Sequence, residues 1–275
     1  MKFEFRHLFI FLTALYFAGC DSTVSDTAEI RPKAFRWEYS SPEDVGISRQ
    51  KIALLADSLF IRGTKKLLII KDDKVIFERF DDGWHDSSRL HYTASLAKVI
   101  VGGLSLSAAI QDSLVYADAP AFHYIPQWSD SYEKSKITIR QLATHTSGLE
   151  DAETSAAERA FMVKKKLDPH MDLPGWKGRF WRRIPDPFSL ARDSAKVIFR
   201  PGTQYQYSNT GIAMLGYAVT ASLKKTPYKD LRRYLKSRIY DPLGIEEHEY
   251  TVGYDTTYSV DGLDLVATWG GGAFS

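Results

Sequence analysis

The sequence repeats one spacing that supports nucleophilic catalysis in enzymes, a serine followed three residues later by a lysine. It begins at four places, Ser48, Ser95, Ser131 and Ser222. On a helix, residues three apart share a face, so a neutral lysine amine can accept the proton of the serine hydroxyl. The spacing alone is not specific. Ser48 resembles a helix N-cap, Ser131 lies in a polar run, and Ser222 lies just before the helix breaker Pro227.

Ser95 differs because the run after it, from Leu96 to Ile110, is apolar almost all round, with Lys98 as its only charge. A helix with this composition is expected to be buried. Burial disfavours the ammonium form and lowers the pKa of lysine, so Lys98 can act as a base near physiological pH. The helix start also helps to stabilise negative charge on the Ser95 oxygen. The structural alternative is a capping serine followed by a snorkelling lysine.

A second motif, Tyr207-Ser208-Asn209, precedes another apolar helix and contains the only asparagine in the chain. A tyrosine phenol beside a cationic lysine can be held partly as phenolate and can relay protons between the serine and the leaving group. The asparagine amide can hold a substrate carbonyl. Together the two motifs predict an acyl-transfer site.

These motifs, with the run from Gln141 to Leu149, resemble the serine β-lactamase and penicillin-binding-protein family in order and approximate spacing. The resemblance implies Ser95 as nucleophile, Lys98 as base, Tyr207 as proton relay and Asn209 as a substrate contact. The Tyr-x-Asn form is closest to class C β-lactamases, D-amino-acid peptidases and related esterases. His145 lies in what resembles a structural turn of this family, Thr-His-Thr-Ser-Gly, so we do not expect it to be catalytic.

The resemblance also implies a third motif, Lys-Thr-Gly or His-x-Gly, on a later strand that provides an oxyanion donor. The nearest match before Ser275 is Lys225-Thr226-Pro227, in which proline replaces glycine. Loss of one oxyanion donor costs on the order of a hundred- to a thousandfold in rate. We therefore expect the polypeptide to be a fragment of a longer enzyme, poorly stable and nearly inactive alone.

The expected fold class is α/β of the β-lactamase-like type. An antiparallel sheet is flanked by helices, with a mainly helical lobe at about 81–250 and with the C-terminal strands of the sheet absent. Helical spacing predicts a first helix from Ser48 to about Gly63. Two β-rich runs, 67–70 and 75–77, flank Asp72-Asp73 and predict a hairpin. Residues 151–200 are predicted to form a long, irregular loop near the site.

The N-terminus has the features of an exported lipoprotein. Basic residues precede an apolar run from Leu8 to Gly19, which is too short to span a bilayer but suits a signal peptide. Ala18-Gly19 precedes Cys20, the only cysteine, and resembles a bacterial lipobox. We predict a signal peptide at 1–19, lipid attachment at Cys20, a tether at 20–34 and the domain at 35–275. The protein would then lie in the bacterial cell envelope, facing the periplasm or exterior.

The predicted function is that of an exported serine hydrolase that forms an acyl-enzyme on Ser95 with an ester, amide or β-lactam. Its partners would be a small-molecule or peptide-like substrate and a membrane reached through the lipid. A net charge of +2 gives no reason to expect nucleic acid, and the absence of His-Glu-x-x-His implies no metal or other cofactor. The alternative is a non-catalytic lipoprotein that binds peptidoglycan or another ligand in the same cleft.

Overall fold

The computed structural model describes residues 36–84 and 89–274. The predicted signal peptide, the tether and Cys20 lie outside the described residues. The domain predicted at 35–275 is therefore described from Arg36 to Phe274, apart from residues 85–88.

The predicted hairpin is present and pairs with one further strand. Strands β2 (Lys66–Lys71) and β3 (Lys74–Phe80) run antiparallel. Asp72 and Asp73 join them with φ angles of 52° and 58°, the left-handed conformation of a type I′ turn. A short strand β1 (Glu38–Tyr39) pairs parallel with β3, which makes this sheet mixed and was not predicted.

The first helix also follows the prediction. Helix α1 spans Arg49–Phe60, and the Ser48 side chain accepts a hydrogen bond from the Lys51 backbone N–H. This bond satisfies one of the free N–H groups at the helix start. Ile52 and Ala56, one turn apart, are the buried residues of the helix.

The chain around Ser95 forms one continuous helical run of changing pitch. After strand β4 (His91–Tyr92) it passes through a 3₁₀ turn (Ala94–Leu96), a π-helical segment (Lys98–Gly103) and helix α2 (Leu104–Gln111). Such π segments are frequent at functional sites. The run is apolar and long enough to cross a membrane by length and composition, a test that core helices also pass.

The prediction that this run is buried on all sides is wrong on one face. Ala97, Lys98 and Val101 are buried, whereas Leu96 and Val99 are 56% and 62% exposed. Helical periodicity explains the difference, because positions 97, 98 and 101 share the side that packs on the helical lobe.

The rest of the chain is mainly helical, as predicted. Helix α7 (Asn209–Ser222) forms the centre of the core, with most of its residues buried, and it packs against α2, α3 (Ile139–Ala143) and α6 (Pro187–Asp193). The helices of this lobe are α3 (Ile139–Ala143), α4 (Ala156–Lys164), α5 (Gly175–Arg182), α6 (Pro187–Asp193), α7 (Asn209–Ser222), α8 (Leu231–Leu235) and α9 (Asp241–Leu243).

The expectation of an irregular loop at 151–200 is wrong, because α4, α5 and α6 lie within it. Ser155 and Glu158 form a reciprocal capping box at the start of α4. Asp186 caps α6, with Pro187 as its first residue. Both start signals are legible in the sequence, but the helices are too short for apolar periodicity to reveal them.

The last part of the described chain forms short strands near the start of the Ser95 run. Strand β8 (Ala273–Phe274) lies between β4 and β5 (Tyr250–Thr251), antiparallel to both, while β6 (Tyr258–Val260) and β7 (Leu263–Leu265) form a hairpin. Helices combined with small antiparallel and mixed sheets place the protein in the predicted α/β class.

Candidate active site

Ser95 is presented at the surface by backbone contacts on its N-terminal side. Ala94 has a φ of 45°, an uncommon conformation for a non-glycine residue, and Ser95 follows it in the 3₁₀ turn. The backbone N–H and the hydroxyl of Thr93 both donate to the Gly272 carbonyl oxygen, at 2.9 and 2.8 Å. The β4–β8 contact therefore anchors the turn that carries the hydroxyl.

Lys98 reaches the serine from one helical turn away. Its Nζ donates to Ser95 Oγ at 3.1 Å and to the Trp269 carbonyl oxygen at 2.6 Å. The residue is only 8% exposed. Burial lowers the pKa of Lys98 to about 8, against the opposing effect of the Asp151 and Glu153 charges. A substantial fraction of the amine is therefore neutral at mildly alkaline pH.

The Trp269 carbonyl oxygen also belongs to the site, and it was not predicted from the sequence. The Thr268 hydroxyl donates to the Ile212 carbonyl of α7 at 2.8 Å. Gly216 permits this close approach, since a Cβ there would lie 2.6 Å from the Thr268 side chain. The Trp269 ring packs against Phe180 of α5. A backbone carbonyl carries no residue signature, so only the packing of distant segments reveals it.

Tyr207 approaches the serine from the segment before α7. Its hydroxyl donates to Ser95 Oγ at 2.7 Å, and Lys98 Nζ lies 4.8 Å from its ring centroid. Burial raises the pKa of Tyr207, and so do the charges of Asp151 and Glu153, although the bond to Ser95 opposes them. Burial and these charges therefore favour the neutral phenol, and the partial phenolate stays a prediction.

Asn209 is buried at the start of α7, where its side-chain amide donates hydrogen bonds to two carboxylates. Its Nδ2 donates to Asp151 Oδ1 at 3.1 Å, Asp151 Oδ2 at 3.3 Å and Glu153 Oε1 at 3.4 Å. Its backbone N–H also donates to Asp151. Burial raises the pKa of Asp151 despite these bonds. Sequence analysis did not identify either acid, and the predicted contact of Asn209 with substrate stays a prediction.

His145 lies against the same tyrosine. It follows α3 with a φ of 57°, a conformation that histidine adopts more readily than most residues, and the Thr146 N–H bonds back to Gln141 as in a helix C-terminal cap. Its ring centroid is 4.8 Å from that of Tyr207, at an interplanar angle of 32°. Its Nδ1 accepts the Ser208 backbone N–H at 3.1 Å.

The other three Ser-x-x-Lys copies have the structural explanations that the sequence suggested. Ser48 caps α1. Ser131 Oγ accepts the backbone N–H of Lys134 at 3.2 Å, and Ser222 Oγ donates to the Val219 carbonyl at 2.7 Å. The structure thus brings Ser95, Lys98 and Tyr207 together and gives the remaining serines local backbone partners.

A cavity of about 280 Å³ borders Tyr207; it is also lined by Glu150, Asp151, Glu153, Thr154, Ser155, Lys177, Ile198 and Gln206. A larger cavity of about 460 Å³ is lined by other residues, among them Arg232, Glu247 and Tyr250. Over residues 36–84 and 89–274, no group of three or more His, Cys, Asp or Glu side chains is arranged to hold a metal ion.

The α/β fold places the Ser95 hydroxyl between a buried lysine and a tyrosine, the arrangement of nucleophile, base and proton donor that a serine hydrolase requires. The Beta-lactamase family model matches residues 60–257, well over half of the chain. The protein therefore belongs to the β-lactamase family, whose members act on amides, esters or β-lactams.

Similar proteins come from several organisms. A Dichelobacter nodosus protein whose name assigns it to fimbrial assembly (FimD, serogroup D) is 27% identical over 198 residues, which are 65% of this chain and 45% of the relative. The chain thus spans about half the length of the curated relatives it matches.

Two solved structures show the same fold at low identity. The octameric penicillin-binding protein homologue of Pyrococcus abyssi has a TM-score of 0.57 and 19% identity, with coverage of 84% of this chain and 54% of that one. The D-amino acid amidase of Ochrobactrum anthropi SV3, complexed with L-phenylalanine amide, has a TM-score of 0.52 and 21% identity, with coverage of 82% and 67%.

Proposed function

We propose that the protein is an exported serine hydrolase that forms an acyl ester on Ser95 from an ester, amide or β-lactam and releases the acyl group to water. One observation carries the proposal. Ser95 Oγ lies within hydrogen-bond distance of both a base with a lowered pKa, Lys98 Nζ at 3.1 Å, and a phenol donor, Tyr207 OH at 2.7 Å.

The acylation step follows from these positions. Neutral Lys98 accepts the Ser95 proton as Oγ bonds to the substrate carbonyl carbon. When the tetrahedral intermediate collapses, the phenol of Tyr207 donates its proton to the leaving group and recovers one from the Lys98 ammonium. Lys98 is then neutral again, and the acyl group remains on Ser95.

Deacylation uses the same groups in reverse. Water attacks the acyl carbon and gives its proton to the neutral amine or through the phenol, and Ser95 Oγ recovers a proton as its bond to carbon breaks. The Trp269 carbonyl keeps Nζ in place throughout, because its 2.6 Å bond points the amine toward the serine.

Asn209 is proposed as the substrate contact. Its amide nitrogen donates to Asp151 and Glu153, so contact with a substrate carbonyl requires one amide hydrogen to leave a carboxylate. Substrates are proposed to be small molecules or short peptide-like amides. The structural likeness to the amidase supports this class, since that protein was crystallised in complex with an amino acid amide.

The protein is further proposed to be held in the cell envelope by a lipid on Cys20. The fimbrial-assembly name of the Dichelobacter nodosus relative supports an envelope location. Palmitate incorporation in cells should require Cys20, and a Cys20→Ser variant that still incorporates lipid would refute the anchor.

A fluorophosphonate probe tests the acyl-enzyme proposal directly. Ser95 Oγ should form a bond to phosphorus, fluoride should leave, and Lys98 should take the serine proton. Peptide mass mapping of the labelled protein should find the adduct on Ser95 and none on Ser131. Ser95→Ala should abolish the adduct and Ser131→Ala should not, whereas labelling that persists in Ser95→Ala would overturn the proposal.

A further inference from the structure

His145 is attached to the Tyr207 segment, defined here as residues 205–208, at three points. Its backbone carbonyl accepts the Gln206 N–H at 2.9 Å, and its Nδ1 accepts the Ser208 N–H at 3.1 Å. Its ring packs on the Tyr207 ring between these two bonds. One residue therefore holds the backbone on both sides of the tyrosine as well as the phenol itself.

The bond to Ser208 defines the state of the imidazole. A ring nitrogen that accepts an N–H bond carries no proton, so the acceptor Nδ1 requires the neutral tautomer with hydrogen on Nε2. Protonation would place a hydrogen on Nδ1, directly facing the Ser208 N–H. Two N–H donors cannot form a hydrogen bond with each other, so only the neutral ring can accept the Ser208 N–H.

The surroundings favour the neutral form. Burial lowers the pKa of His145 below 6.5, and the nearby Lys98 charge lowers it further. The other titratable groups facing the ring are the phenols of Tyr205 and Tyr207. Asp151 and Glu153 act on Lys98 and Tyr207 rather than on the imidazole.

We propose that neutral His145 is a positioning residue, which holds the Tyr207 phenol on Ser95 Oγ through the Ser208 N–H bond and ring packing. This inference rests on the proposed function, since it assigns a role at the same site. It gives the site a second proton-sensitive element besides Lys98. Protonation of Lys98 removes the base, and protonation of His145 releases the tyrosine.

The test is the pH dependence of fluorophosphonate labelling of Ser95. From pH 8 downward, protonation of Lys98 alone slows labelling by about tenfold per pH unit. Once His145 also protonates, the slope should steepen toward about a hundredfold per unit, because each of the two protonations removes a group that labelling needs. A wild-type profile without this steepening would overturn the inference.

His145→Asn is the decisive variant. Its side-chain oxygen can occupy the place of Nδ1 and accept the Ser208 N–H, it does not titrate, and asparagine tolerates the positive φ at this position. The variant should label more slowly than wild type at pH 8, because the packing of the imidazole on the Tyr207 ring is lost, and it should keep the tenfold slope throughout. His123→Asn, at an exposed histidine against Phe122, is the matched control and should keep the steepening.

A steep limb retained in His145→Asn, or one lost in His123→Asn, would also contradict the inference. Nitrogen-15 NMR of the ring gives a readout that needs no chemistry at Ser95. It should show the Nε2–H tautomer with Nδ1 unprotonated. Observation of the Nδ1–H tautomer would contradict the hydrogen bond from Ser208 and overturn the inference. Complete absence of labelling of the complete protein at every pH would instead refute the proposed function and leave the NMR result to decide on His145.

Discussion

Two regions of the molecule carry the same Ser-x-x-Lys spacing and a similar lysine, yet only one forms a site. Lys98 Nζ donates to the Trp269 carbonyl and Lys134 Nζ to the Arg192 carbonyl, both at 2.6 Å. Burial lowers the pKa of both lysines. A lysine whose pKa is lowered by burial is therefore not enough to identify the base.

The serine oxygens differ. Ser95 Oγ accepts from the side chains of Lys98 and Tyr207, whereas Ser131 Oγ accepts from the backbone N–H of Lys134 and closes its own turn. The tyrosine next to Ser131 does not resemble the one at Ser95, since Tyr132 is 81% exposed and lies beside Lys136. What distinguishes the two regions is where the hydroxyl points and whether a second side chain meets it.

The largest expected effect separates the two lysines. Lys98→Met should slow the labelling of Ser95 by about 10²- to 10⁴-fold, because the general base is lost. Lys134→Met should leave labelling near the wild-type rate and cost about 1 kcal/mol of stability through its lost bond to Arg192. Labelling kinetics and thermal unfolding measure the two effects. Similar labelling rates in both variants would remove the distinction between the regions.

The second largest expected effect is a difference in labelling rate between variants of Tyr207 and Tyr132. Tyr207→Phe keeps the ring but removes the hydroxyl that meets Ser95 Oγ, so labelling should slow on the order of 10²-fold. Tyr132→Phe is the control at the other motif and should change the rate little. A Tyr207→Phe variant as reactive as wild type would show that the phenol is not part of the reaction.

The smallest effect concerns the acids near each lysine. The Glu153 charge raises the pKa of Lys98, which lies at about 8. Glu153→Gln should therefore shift the acid limb of the labelling profile to slightly lower pH. Labelling at pH 7 should then increase, because more of the amine is neutral. Glu133→Gln, beside Lys134, should leave the limb in place. A shift toward higher pH in Glu153→Gln would contradict this electrostatic assignment.

Much of the local structure was legible in the residues. The hairpin followed from β-rich runs around Asp72-Asp73, and the helix beginning after Ser48 from its cap and spacing. The helices in 151–200 were missed because each is short and its buried side rests on tertiary contacts, as with Phe180 of α5. The parallel strand β1 was missed because two residues carry no periodicity.

The residue types and their spacing by themselves determined which serine to examine. Residues three apart on a helix share a face, so Ser95 and Lys98 can form a pair in any fold that keeps the helix. The match of Tyr207-Ser208-Asn209 to a known family then selected this pair over the other three. Those inferences depend on short-range geometry and on residue identity, both of which the sequence contains.

Only the tertiary structure decided what surrounds that pair. The Trp269 carbonyl accepts a hydrogen bond from Lys98, and the charges of Asp151 and Glu153 act on that lysine. The His145 ring packs on Tyr207, and all these groups come from distant parts of the chain. Burial lowers the pKa of Lys98 and, with the charges of Asp151 and Glu153, raises that of Tyr207; burial and charge are properties of packing in three dimensions. No spacing along the chain encodes them.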